Sequence, residues 1–167
     1  GSSPWAVRAR ARAMANADKC MERLLRLFET RDGAELHSRV PPERWCVTKG
    51  DICYFRALVG RAVRAGLVAP SDGDRFDPAD EQGPSISTVT RQLIKPLTGR
   101  RGGPSWALMV HPGGLECDLF VTHSWFEGAF EFTDKVLNAW PRGARHAYCC
   151  MLSNPQNLDI GSLISAP

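Results

Sequence analysis

Cys117-Asp-Leu-Phe-Val-Thr-His-Ser-Trp125 is the stretch on which the fold reading turns. Its apolar run, Leu119 to Val121, breaks into polar Thr122, His123 and Ser124. A helical pattern follows from Phe126 to Trp140. A second apolar run, Ala147 to Leu152, then breaks as sharply into Ser153-Asn-Pro-Gln-Asn157. Strand, helix, strand in that order predicts a βαβ unit with parallel strands. Open parallel sheets gather ligands beyond the carboxyl ends of their strands. Thr122, His123, Ser124, Trp125, Glu127, Asn154, Gln156 and Asn157 therefore form a candidate ligand-binding set on one sheet edge. The expected class is α/β: a small, mostly parallel sheet with a βαβ unit, decorated by N-terminal helices.

Upstream, Trp5 to about Thr30 reads as one long helix. Met14, Ala17, Met21, Leu24, Leu25 and Phe28 recur at helical spacing and are expected to be its buried stripe. Arg8, Arg12, Lys19, Arg23 and Arg26 fall on the opposite face and are the candidate partner-binding residues. Such a face is either simply solvated or docks on an acidic partner or an anionic membrane. A second helix is expected from Asp51 to Ala65, with Ile52, Phe55, Val59, Ala62 and Val63 inward, Thr48 or Asp51 capping it and Gly66 closing it. An acidic loop covers 70–84. A helix from Ser87 is expected to stop before Pro96, and Gly99 to Pro104 reads as a flexible basic linker. Trp106 to Val110 reads as a strand, and another helix begins near Asp159. The segments are thus 1–69, a helical arm; 70–104, the acidic loop, short helix and linker; and 105–167, the α/β unit, with more sheet expected beyond its end. Gly1-Ser-Ser is left out of the fold reading.

Each candidate has a bland reading beside it. Ser124-Trp-Phe-Glu127 fits a capping box, which explains Ser124 and Glu127 without chemistry. A helix start there also offers free amides to a phosphate or carboxylate. His123 stands where a general base would, yet a hydrogen-bonded structural role is commoner. The spacings of Cys46, Cys53, His111, His123 and Cys149 match no zinc-ligand pair, so no metal is assigned. Asp72-Gly-Asp-Arg-Phe-Asp77 fails as a calcium loop because Phe76 and Asp77 occupy a ligand and an obligatory glycine position. No residue is assigned a catalytic role, and no cofactor is specified.

With 167 residues, 43% of them hydrophobic and 23% charged, the chain can bury a real core. The net charge of +3 is too small to point to nucleic acid, but it is segregated. Residues 1–66 carry 13 Lys/Arg against 7 Asp/Glu, whereas 70–84 carry five acids against one Arg. No apolar run approaches the roughly 20 residues that span a bilayer. The six cysteines are scattered in apolar contexts, which suggests reduced, buried thiols in an intracellular compartment.

Ile94-Lys-Pro-Leu-Thr98, Ser105-Trp-Ala-Leu-Met-Val-His-Pro112, Asp118-Leu-Phe-Val-Thr-His-Ser-Trp125 and Cys150-Met-Leu-Ser-Asn-Pro-Gln-Asn-Leu-Asp-Ile160 together resemble a large family expanded in dinoflagellates, over roughly residues 86–167. That family carries no established activity, and its members continue past the point where this chain stops. Remotely, Asp118 to Trp125 with its following helix is similar to the opening of TIR domains, whose active enzymes cleave NAD with a Glu on a later helix. No position here matches that Glu. Two functions are expected. The first is a non-enzymatic binding or accessory module, a subunit of a larger intracellular or organelle (chloroplast) assembly such as a photosystem. The second is a TIR-like enzyme or binder that takes a nucleotide or other anionic small molecule through His123, Ser124 and Glu127.

Overall fold

The computed structural model describes residues 3–164, and its first element, α1 (Pro4–Leu25), divides into two unlike halves. Ser3 caps it, its hydroxyl accepting from the Ala6 amide at 3.2 Å, and Pro4 sits at the first helical position. From Pro4 to Asn16 every residue is exposed. This half is an alternation of Ala and Arg, strong helix formers that hold a helix with little packing behind it. Met14, expected in the core, is 60% exposed because nothing lies beneath this half. Only Met21, Leu24 and Leu25 are fully buried, with Ala17 and Phe28 half-buried. The helix ends at Leu25 rather than near Thr30.

A short helix, α2 (Gly33–Arg39), and a two-residue strand, β1 (Val47–Thr48), lead into α3 (Lys49–Arg64). The Thr48 hydroxyl accepts from the Asp51 amide, and the Asp51 carboxylate accepts from the Thr48 amide, a complete capping box. Ile52, Phe55, Val59, Ala62 and Val63 all point inward. Gly66, at φ +74°, closes α3 as the Leu67 amide reaches back to the Ala62 carbonyl.

Three sequence expectations fail between 86 and 110. The helix expected to stop before Pro96 runs through it: α4 (Ile86–Val89) passes by a π-helical turn, Thr90–Ile94, into α5 (Lys95–Arg100). In that wide turn the Lys95 amide reaches the Thr90 carbonyl, five residues back, and the pyrrolidine ring of Pro96 is accommodated. Trp106 to Val110 forms not a strand but a helix, α6, capped by the Ser105 hydroxyl on the Leu108 amide. The expected flexible linker is pinned: the Arg31 amide donates to the Arg101 carbonyl and the Gly33 amide to the Gly102 carbonyl. Gly102 and Gly103 take left-handed conformations at φ +95° and +84°.

The sheet has three strands in the order β1-β3-β2, with β2 spanning Leu119–Val121 and β3 His146–Cys149. β2 and β3 pair in parallel, Leu119 opposite Ala147, while β1 pairs antiparallel on the other side of β3, Val47 opposite Ala147. The sheet is therefore mixed and small rather than mostly parallel. Between its parallel strands the chain forms α7 (Ala129–Asn138), which packs on α3. There Arg56 grips Asp134 through two bonds of 2.7 and 2.8 Å. The run expected as a strand to Leu152 turns into a short helix, α8 (Cys150–Ser153), and the last described helix is α9 (Ile160–Ile164). Trp106 sits at the centre of the main core, edge-on to Phe28 and Phe55 at centroid distances of 5.3 and 5.1 Å. That core draws on α1, α3, α4 to α8 and β3, and so on all three sequence segments.

Candidate functional site

At the end of β2 the chain does not enter α7 directly. The helix starts at Ala129, with Gly128 at the cap position and no side-chain cap. Its first amides are taken by a distant segment: Ala129 donates to the Pro84 carbonyl at 2.7 Å, and Phe130 to that of Gln82 at 3.1 Å. Ser124 and Glu127 therefore make no capping box. The Ser124 hydroxyl accepts from the Phe126 amide, and Glu127 pairs with Lys135 at 3.3 Å. Thr122 and Trp125 are exposed, as is Phe126, at 90%.

His123 is half-buried, its ring edge-on to Trp125 at 4.8 Å and to Phe132 at 5.6 Å. Both ring nitrogens are buried without a hydrogen-bond partner among the described residues. Burial pushes its pKa down, against the Ser124 backbone and the Glu127 charge, which favour the protonated ring. This favours a neutral imidazole behind Phe132, which with Thr122, Phe120 and Val136 lines an apolar groove of about 360 Å³ that His123 itself does not line.

The amides of the second polar cluster are engaged within the chain. Asn154 accepts from the Tyr148 hydroxyl and donates to the Cys150 thiol at 3.0 Å. Gln156 donates to the Asn154 carbonyl at 3.1 Å, and Asn157 to the Lys95 carbonyl and the Thr98 hydroxyl, both at 3.0 Å. Asn154 thus bonds to Tyr148 and Cys150, not to His123. Tyr148 stacks on Phe120 with ring centroids 5.3 Å apart, and burial followed by the neighbouring thiols pushes its pKa up to about 12. Burial raises Cys46 and Cys149 to about 12 and also raises Cys20 and Cys150, which disfavours the thiolate needed for attack. All six thiols are free, but Cys53 and Cys117 are exposed rather than buried as expected.

Sequence reasoning missed the partners of three histidines, among them His146, whose Nδ1 lies 2.9 Å from the Glu116 carbonyl oxygen. His111 Nε2 lies 2.6 Å from Asp51 Oδ2, tying the end of α6 to the capping box of α3. The pair is 60 residues apart in sequence and has no spacing signal. His37, only 4% exposed, accepts at Nε2 from the Ser105 amide at 2.9 Å and lies edge-on to Trp45. Among the described residues no three His, Cys, Asp or Glu side chains are grouped to hold a metal ion. No described helix is long and apolar enough to cross a membrane.

The basic face of α1 is the second candidate. Arg8, Arg12, Lys19, Arg23 and Arg26 are all exposed, and none is in an ion pair among the described residues. At about 100° per residue they fall within a wedge of about 60°, a single basic ribbon along the helix. Trp5, 78% exposed, shares that face with Arg8 and Arg12. In comparisons with known proteins no family model matches the chain, and no curated protein or solved structure gives a significant match.

Proposed function

We propose that this chain is a non-enzymatic accessory module that docks onto an acidic protein surface through the projecting half of α1, as a subunit of a larger intracellular or organelle assembly. A photosystem is the host suggested by the family resemblance. The observation that carries the reading is the exposure of every residue from Pro4 to Asn16, with Trp5 among the arginines. A helix segment about 20 Å long that is exposed at every position buries little for the fold. Exposed Trp and Arg together are the composition of interface hot spots. Purification of the tagged chain within its native assembly tests this. Arg8→Glu with Arg12→Glu should leave thermal stability unchanged and reduce co-migration about tenfold or more. Undiminished co-migration would sink the reading.

A second reading has one observation in its favour, the two unpartnered, buried ring nitrogens of His123, packed behind Phe132 of the apolar groove. Here β2, α7 and β3 act as a βαβ unit, with Thr122 to Trp125 at its ligand-binding end. A ligand donor or acceptor would satisfy the imidazole. Thermal-shift titration with NAD, ATP and cyclic nucleotides separates the readings: a shift abolished by His123→Ala favours this one, and no shift with any of them removes it.

A further inference from the structure

Where α1 meets α3 the surface forms a groove of about 490 Å³ lined by Lys19 and Arg23 of α1 and Arg61 and Arg64 of α3, with Asn16 and Cys20 between them. The four cations are exposed, and none is in an ion pair among the described residues. Arg23 and Arg61 reach this groove from different helices, and while burial raises the Cys20 thiol between them, both positive charges oppose that rise. On α1, Asp18 and Glu22 lie about 150° and 110° round the helix from the middle of the groove face, Glu22 flanking its edge beside Lys19 without forming an ion pair with it. On α3 the nearest is Asp51, about 15 Å away at the other end of the helix.

Helix dipoles explain part of this arrangement. Arg23 stands in the last turn of α1, and Arg61 and Arg64 in the last turn of α3, where cations offset partial negative charge. Two helix ends supply only about half an elementary charge each, against four full positive charges. Lys19, more than a turn earlier, is not explained by them. A concave surface with such a surplus of positive charge focuses its field on an anion. Three guanidinium forks suit bidentate phosphate contacts, and the ammonium adds a point charge.

We infer that this groove binds a ligand carrying clustered phosphates, a di- or triphosphate group or a polyphosphorylated headgroup. The inference goes beyond the docking reading and does not rest on it: docking uses the projecting half of α1 at Arg8 and Arg12, whereas the groove joins Lys19 and Arg23, further along the ribbon, to Arg61 and Arg64 of α3. The test is titration of the full chain, at near-physiological salt, with two probes: tripolyphosphate, and vesicles containing a bisphosphorylated inositol lipid. At least one probe should bind. Arg61→Gln with Arg64→Gln should weaken binding about tenfold or more, whereas Arg8→Gln with Arg12→Gln, the same loss of charge outside the groove, should change it less than about threefold. Lys19→Gln with Arg23→Gln should behave like the first pair and serves if that pair misfolds. Groove-dependent binding of tripolyphosphate assigns a soluble ligand, and groove-dependent binding of the vesicles alone assigns a membrane headgroup. Binding of neither probe, or equal losses from the Arg61/Arg64 and Arg8/Arg12 variants, would overturn the inference.

Discussion

The imidazole of His37 carries a testable cost. It is buried, accepts from the Ser105 amide, and has a pKa lowered by burial from 6.5 to about 4. Between those values the unfolded chain binds a proton that the folded one refuses. Its stabilising effect is therefore complete above about pH 6.5 and is lost progressively as pH falls toward 4, roughly 3 kcal/mol in all. His123, also lowered by burial, adds in the same direction. In His37→Gln the amide oxygen can still accept from Ser105, but nothing titrates. Urea midpoints measured from neutral to mildly acidic pH should fall steeply in the native chain and flatten in the variant. An equally steep variant would place the acid sensitivity elsewhere.

Individual elements differ in how far the sequence betrays them, and the reason is the range of the contacts that form them. α3 was legible because its cap, its stripe and its closing Gly66 are all local. α6 was not, because five apolar residues in a row have no period, and a run buried on all sides reads alike as strand or helix. Ser105 was the one local clue. The capping box at Ser124 and Glu127 was sound in sequence but lost to the Gln82 and Pro84 carbonyls, a partner more than 40 residues away. Gly102 was read as flexibility, and its neighbours give it the opposite meaning. A Cβ there would lie 1.7 Å from the Arg31 carbonyl oxygen, at φ +95°. Gly66 has a similar φ of +74° and nothing within 4 Å. Gly66→Ala should cost about 1 kcal/mol from backbone strain alone, and Gly102→Ala several times more by chemical denaturation. Comparable losses would show that residues 99–104 yield as the linker reading supposed.

Across the whole molecule, the basic and acidic segments and the α1 stripe were visible in composition and period. What they omit is where the body of the protein ends. The stripe from Met14 to Phe28 is continuous in sequence, yet only its C-terminal part reaches the core, where α1 packs on α3 and α5. Likewise the parallel neighbours β2 and β3 followed from the sequence, whereas antiparallel β1, only two residues long, did not. The candidate site was legible as a list of residues at one sheet edge but not in its bonding, because Tyr148, Lys95 and Thr98 absorb the amides. The projecting half of α1 is what the proposed function rests on, and amide hydrogen exchange reads it directly. In the isolated chain the amides from Val7 to Asn16 should exchange quickly, as expected of a helix without tertiary support. In the native assembly they should slow about tenfold or more. Unchanged exchange there, with protection appearing on another face, would contradict docking through α1.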